Sequence, residues 1–288
     1  MSIASFAYPS SVKEAVGLLG DPSRPAIPVG GGTALIRGNR RGATLLVDVT
    51  RCGMSQIGAS EDRIVIGAAA RVAELARANL PGAEGRLLSE AAAGIATEPL
   101  RNAITVGGNL VQLVSWADLP VALLALDALV HVETPSGPRD LPMRALVEEH
   151  PTRVLPQGAL ITGVSVPYNG GQCGGVYRRL RESQVDYALV AVAACVELEG
   201  DRCKRARIAV GAVCPRPLRL TAAEQTVEGH KPTPTLLQEA AALAAAGVHV
   251  TPDIRMAPAL RARLMQVEIR RALEDAVARA RLAAGGAQ

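Results

Sequence analysis

Aromatic residues are scarce in this 288-residue sequence, which has one Phe, one Trp and four Tyr. Such a chain has no platform on which successive nucleic-acid bases would stack. Any large planar ligand must be gripped by backbone and aliphatic side chains. Histidine is sparse too: His131, His150, His230 and His249 stand apart, with no H-x-x-x-H or H-x-x-E-H spacing, and read as core or surface residues and not as metal ligands. The five cysteines (Cys52, Cys173, Cys195, Cys203 and Cys214) form no C-x-x-C pattern. Their spacing excludes the usual zinc and iron–sulfur motifs and fits reduced thiols in a cytoplasmic protein. No run of five or six like charges exists, so the net charge of +4 does not mark a nucleic-acid arm. Asp127 and Glu197 interrupt the most apolar stretches before they reach membrane-spanning length, and "MSIASFAYPS" lacks the charged start and apolar core of a signal peptide. Neither a Gly-Lys-Ser/Thr phosphate loop nor a G-x-S-x-G hydrolase elbow occurs.

What is present is alternation of strand and helix signals. "SVKEAVGLLG" (11–20) has a Ser N-cap, one apolar face at Val12, Ala15, Val16 and Leu19, and Gly20 as a stop. "PAIPVGGG" and "TLLVDV" read as strands around a glycine loop and a short helix. A second unit follows from about 57 to 167, with the strand "RIVIGAA", the helices "VAELARAN", "LLSEAAAGIA" and "LPVALLALDA", and the strand "LVHVET". "SVPYNGGQCGG" (165–175) is the best linker. Beyond it, "VDYALVAVAACVELEG" reads as a helix running into a strand, "KRARIAVGAV" as a strand, and "LMQVEIRRALEDAVARARLAA" as an amphipathic helix whose arginines form a solvated or a docking face.

Two glycine-rich stretches carry chemical interest. In "PVGGGTALIRG" (28–38) three glycines allow a sharp turn that aims several N–H donors at one point, as an anion requires. It is no G-x-G-x-x-G fingerprint, because Leu35 stands where the last Gly would be. In "ITVGGNLVQLVSWADLP" (104–120), Gly107 and Gly108 bare the backbone to a ligand, while Asn109 tolerates unusual backbone angles and can hydrogen-bond a phosphate. A tight turn for the first stretch, and a bulge or close backbone crossing for the second, account for each taken singly.

Taken together, the residues resemble the FAD-binding medium subunits of molybdenum hydroxylases of the xanthine dehydrogenase and carbon monoxide dehydrogenase type. "GGGTAL" resembles that family's Ala-Gly-Gly-Thr-Asp-Leu loop, and "TVGGN" its Thr-Ile-Gly-Gly-Asn loop. The likeness continues in order through "FAYPSSVKEAVGLL", "LLVDVTRCGMSQIG", "ADLPVALLALDALV", "YRRLRESQVDYALVAVAACVEL", "ARIAVGAVCPRPLRLTAAEQTVEG" and "RARLMQVEIRRALEDAV", nearly the whole chain. The resemblance implies an α+β fold. A two-subdomain FAD-binding region of the PCMH or vanillyl-alcohol-oxidase type would span 1–167, divided near residue 56, with a C-terminal α+β domain over 173–288.

It further implies FAD with its diphosphate on Gly30, Gly31, Gly32, Thr33 and Ala34 and on Thr105, Val106, Gly107, Gly108 and Asn109. Asp118 matches an aspartate beside the flavin, Leu160 a residue lining the ring or adenine, Arg178 a basic position near the cofactor, and Tyr187 a cover for the isoalloxazine. No catalytic side chain and no metal ligand is implied. The partners implied are a small subunit with two [2Fe-2S] clusters and a large molybdopterin subunit, with NAD, oxygen or a quinone as electron acceptor. Departures are Ala34, where relatives carry an acidic or hydroxyl residue, and "QLVSWA" (112–117), which puts Trp116 near the expected flavin edge or in the core. The extra iron–sulfur insertion of the hydroxybenzoyl-CoA reductases is missing. Two other readings stay open: a stand-alone FAD-dependent oxidoreductase using Tyr187 or Asp118 as acid or base, and a flavin-free assembly module.

Overall fold

The computed structural model describes residues 5–35, 42–168 and 171–285. It begins with a small parallel sheet of order β1-β3-β2, built from β1 (Ser5–Ala7), β2 (Ala26–Val29) and β3 (Leu45–Asp48). Helix α1 (Val12–Leu19) crosses between its first two strands. Ser11 caps it by accepting a hydrogen bond from the Glu14 N–H, and Ala15, Val16 and Leu19 bury its apolar face against Leu45 and Val47. The short helix expected after the first glycine loop begins as a turn at Thr33–Leu35; its remainder, 36–41, lies outside the described residues, as do Asn169 and Gly170 of the expected linker.

The middle of the chain folds as β4 (Ile57–Ala59), β5 (Arg63–Gly67), α2 (Val72–Arg77), α3 (Gly82–Ala93), α4 (Glu98–Arg101), α5 (Val106–Gln112), α6 (Asp118–Ala125), β6 (Leu129–Thr134), β7 (Gly137–Pro142), α7 (Met143–Glu149), α8 (Pro151–Val154) and β8 (Leu160–Pro167). The five strands pair antiparallel in the order β4-β5-β8-β6-β7. Alternation in β6 places Val130 and Val132 inside, where they meet Leu119, Leu123 and Leu126 from and after α6. Every residue of α6 is buried, so it is a core helix with no solvent face.

The last unit is a four-stranded antiparallel sheet, β12-β11-β10-β9, made of β9 (Cys173–Leu180), β10 (Val190–Glu199), β11 (Arg202–Gly211) and β12 (Leu218–Arg219). Helices α9 (Thr221–Val227), α10 (Pro234–Ala246) and α11 (Pro258–Gly285) cover one face. Here the structure corrects the expected helix in "VDYALVAVAACVELEG". Its period is 2, with Val190, Val192, Ala194 and Val196 toward α11 and Ala191, Ala193 and Cys195 toward α3 and α6. A central strand covered on both faces reads as a continuous apolar run, which is why periodicity alone misassigned it.

The expected linker is also shorter than "SVPYNGGQCGG", since 165–167 end β8 and 173–175 begin β9. Gly174 and Gly175 serve close packing: a Cβ on the first would overlap the Ala276 carbonyl of α11, and one on the second the Ala83 carbonyl of α3. The arginines of α11 do not share one solvated face. Arg261 is 1% exposed and donates to the carbonyls of Leu189, Thr251 and Ala212, and Arg279 reaches Glu90 of α3 at 2.7 Å.

Candidate functional site

The two glycine-rich stretches face each other. A Cβ on Gly30 would press into the Thr105 side chain, and one on Gly31 would overlap the Ala103 carbonyl oxygen. The first stretch therefore lies directly against the entry to α5. Arg71 clamps the same spot, donating to Ala103 O at 2.7 Å. Gly32 has φ of +70°, a left-handed conformation that side chains disfavour. Among the described residues no intramolecular acceptor meets the N–H groups of Gly31, Gly32, Thr33 or Ala34. Successive unpaired N–H groups around a left-handed glycine form a concave anion cradle.

The second stretch departs from its expected form. It is not a loop: Thr105 is an N-cap, and Val106, Gly107, Gly108 and Asn109 form the first turn of α5. Its donors are largely spent within the protein. Val106 N–H bonds to Ala70 O at 3.0 Å, Gly107 N–H to Ala68 O at 2.8 Å, and Gly108 N–H to the Thr105 hydroxyl at 3.2 Å. Gly107 is a close crossing, because its Cβ would meet the Ala68 Cβ at 2.8 Å. Gly108 is exposed, and a Cβ there would meet only the Thr105 Oγ1. Asn109 Oδ1 is buried with no hydrogen-bond partner. An orphaned acceptor beside a bare glycine and a cradle of free N–H groups fits an elongated phosphate-bearing ligand that also carries hydrogen-bond donors.

Past the end of α5, about 10 Å along its axis, the chain turns at Leu113 (φ +35°) and enters α6. Asp118 opens that helix, buried, and accepts from the Tyr177 hydroxyl at 2.7 Å; Arg179 Nε lies 3.2 Å from the same oxygen. Burial pushes the Asp118 carboxyl up to about 6, against the opposing pull of Arg179 and the Tyr177 hydrogen bond. Tyr177 is raised as well, by burial and by the Asp118 charge. Arg179 Nε and Nη1 make no aligned hydrogen bond, and its Nη2 donates to Asp186 O at 3.1 Å.

Tyr177 and Arg179 were missed in the sequence, where Arg178 stood as the basic position. Alternation along β9 turns the two arginines to opposite faces. Arg178 points to the opposite face and pairs with Glu268 and Asp275 of α11, both at 2.8 Å. The glycine-rich start of β9 hides the strand's parity, so no local signal distinguished Arg178 from Arg179. Leu160 is core, packed in the cluster that contains α1 and β3. Tyr187, 45% exposed, meets Trp116 with ring centroids 4.7 Å apart and planes tilted by 40°, and its carbonyl accepts from Arg255 at 2.8 Å.

The raised Asp118 carboxyl has a measurable consequence. Its folded-state value lies above the ordinary 3.8, so the folded chain holds a proton that the unfolded chain has released. This contribution to stability is present in full below about pH 4 and is lost as pH rises to about 6, amounting to about 3 kcal/mol. Urea midpoints of the native chain, minus those of Asp118→Asn, are expected to fall across that window and flatten above it. A flat difference from pH 4 to 7 would contradict the burial of this carboxyl.

Residues 2–169 match the FAD binding domain in molybdopterin dehydrogenase, and residues 175–276 match the CO dehydrogenase flavoprotein C-terminal domain. The chain belongs to this molybdenum hydroxylase flavoprotein family. As a family FAD subunit it is 33% identical to the 6-hydroxypseudooxynicotine dehydrogenase complex subunit alpha of Paenarthrobacter nicotinovorans, over 98% of this chain and 97% of that one. It is 30% identical to the carbon monoxide dehydrogenase medium chain of Afipia carboxidovorans, over 96% and 98%. The FAD subunit superposes on the carbon monoxide dehydrogenase structure from Hydrogenophaga pseudoflava with a TM-score of 0.90 at 28% identity, covering 96% of this chain and 98% of that one. The α+β fold, FAD as cofactor and an oxidoreductase role as the FAD-binding subunit of such a complex follow from these matches. Among the described residues of the FAD subunit no helix is long and apolar enough to cross a membrane.

Proposed function

We propose that this chain is the electron outlet of its complex, with the FAD diphosphate held between the cradle of Gly31, Gly32, Thr33 and Ala34 and the exposed Gly108 and Asn109 at the start of α5. The observation that carries this is the set of N–H groups that meet no acceptor among the described residues, lying against a helix start where the buried Asn109 Oδ1 has no partner among them. Gly30, Thr105, Val106 and Gly107 then act by shaping the junction, since their own groups are committed to packing and internal hydrogen bonds. When bound, FAD supplies the capacity to take electrons from a donor and release them to an acceptor.

The remaining work falls to protein groups. Trp116 and Tyr187 form the aromatic pair available to a flat ring, and Asp118, steadied by Tyr177 and Arg179, sets the local charge. Leu160 packs with α1 and β3, and Arg178 ties β9 to α11 through Glu268 and Asp275. This assignment divides the chain at 1–167, with a seam near residue 56, and 173–288. The donor would be the iron–sulfur subunit and the source of electrons a molybdopterin subunit, in keeping with relatives named as medium chains and as parts of Mo-containing dehydrogenases. NAD is the acceptor to test first. Five free thiols support a reducing, cytoplasmic setting.

The test is reconstitution. Purified alone, the chain is expected to show a flavin spectrum bleached by dithionite, quenching or recovery of Trp116 fluorescence on reduction, and no hydroxylation of purines, aldehydes or heterocycles. Adding the small and large subunits should let substrate bleach the flavin, and NAD should restore its colour. Steady-state turnover of an organic substrate by the isolated chain would replace this reading with that of a stand-alone oxidoreductase.

A further inference from the structure

A second polar cluster lies buried where α3 meets the C-terminal sheet. Cys173 begins β9 and is partly exposed; Cys195 sits in β10, fully buried; their sulfurs are 3.2 Å apart. Arg207, directly across from Cys195 on β11, brings its Nη2 to 3.1 Å from the Cys195 sulfur and 3.4 Å from Glu84 Oε1 of α3. The Cys173 sulfur lies 3.9 Å from the same carboxylate oxygen. Glu84 and the Gly94 that Arg179 overlies stand at opposite ends of α3, about 15 Å apart, so this cluster is separate from the groups around Asp118.

We propose that Cys173 and Cys195 form a redox-active dithiol, oxidised to a disulfide by hydroperoxides, with Arg207 holding Cys195 ready as the resolving thiolate. The geometry of the pair supports these roles, since only Cys173 is partly exposed and only Cys195 lies on the Arg207 guanidinium. The hydrogen bond between the two sulfurs and the Arg207 guanidinium lower the Cys195 pKa against its burial, while that of Cys173 is raised by that hydrogen bond and by burial, so Cys173 reacts by its access to solvent and by passing its proton to Cys195. The partly exposed partner meets the oxidant: its proton passes to the Cys195 thiolate as its sulfur bonds to one peroxide oxygen, the O–O bond breaks, and the departing hydroxide takes that proton back from Cys195 as water, leaving a Cys173 sulfenic acid and the Cys195 thiolate. The Cys195 thiolate then attacks the Cys173 sulfur, the S–S bond forms, the S–O bond breaks, and hydroxide leaves to take up the proton Cys195 had lost. Two thiols and one hydrogen peroxide give one disulfide and two waters, with two electrons passing from sulfur to oxygen.

Glu84, Cys173 and Cys195 also have the donor types of a metal site, their ligand atoms lying within 4.8 Å of one another. The guanidinium argues against a cation there, because it sits on the Cys195 sulfur and on the carboxylate that the ion would need.

The test uses the full reduced chain, hydrogen peroxide as oxidant, alkylation of remaining thiols after unfolding, and peptide mass spectrometry. The expected product is a Cys173–Cys195 peptide pair reopened by dithiothreitol, formed before Cys52, Cys203 or Cys214 react. Cys195→Ser should stop at a Cys173 sulfenic acid trapped by dimedone. Arg207→Met, if folded, should close the disulfide about tenfold more slowly, as its thiolate fraction falls. Absence of the linked pair in the folded native chain, or equal oxidation of all five cysteines, would overturn the proposal. So would one bound zinc per chain that protects both thiols until chelated, which would make the cluster a metal site.

Discussion

Gly31→Val is expected to lower bound FAD by about ten- to a hundredfold, because the new side chain would collide with protein backbone before any ligand arrives. Its Cβ would overlap the Ala103 carbonyl oxygen, and its next neighbour is Arg71 Nη1 at 3.2 Å. A carbonyl cannot rotate aside as a side chain can, so the first loop must move away from the start of α5. Overpacking of this kind costs about 1–3 kcal/mol, and each 1.4 kcal/mol is about tenfold in affinity. Gly108→Val is the informative companion. Its Cβ would meet only the Thr105 hydroxyl, at 2.8 Å, and the position is exposed. The Gly108 variant should therefore melt close to the native chain yet lose flavin, because there the obstruction falls on the ligand's side. Flavin absorbance per folded chain, with melting curves for both variants, checks the pair. Full flavin content in a well-folded Gly108→Val chain would defeat the assignment of this helix start to the diphosphate.

The second large effect concerns Arg179. Arg179→Met removes the cation 3.2 Å from a buried carboxylate and leaves Asp118 with the Tyr177 hydroxyl alone. Breaking one side of a buried pair costs about 3–5 kcal/mol, and here the loss falls on the contact between α6 and the C-terminal sheet. Urea unfolding should show it directly. Removing both charges, in Asp118→Ala with Arg179→Met, should recover much of that loss, since neither charge is then stranded. A double variant as unstable as the sum of the singles would mean that the two side chains do not act as a pair. The Asp118→Ala single variant carries a separate reading: bound FAD is expected to remain while its reduction potential or rate changes. An unchanged potential and rate in a folded protein would remove Asp118 from the neighbourhood of the ring.

Particular residues mark how far the sequence reached. Ser11, the apolar spacing of α1, the alternation of β6 and the long apolar stripe of α11 were legible because each is a local pattern that the final fold merely uses. The family was legible for a similar reason: its two glycine motifs are short and contiguous, and the likeness runs in order along the chain. What the residues of "TVGGN" do was not legible. Taken as a loop, they offered several backbone donors; in the structure the donors of Val106, Gly107 and Gly108 are already met, and those that meet no acceptor among the described residues belong to Gly31–Ala34.

By itself, then, the sequence determined α1, β6 and α11, the α+β class and the cofactor family, since these rest on periodicity, capping and contiguous motifs. Tertiary structure alone decided which groups face one another. Strand parity turned Arg179 and not Arg178 toward Asp118, and cross-strand register set Arg207 opposite Cys195. The approach of two segments some seventy residues apart made Gly31 a packing residue against Ala103. Each of these depends on a register or a long-range contact, and a shift of one residue along a strand would have reversed the facing without altering any local pattern.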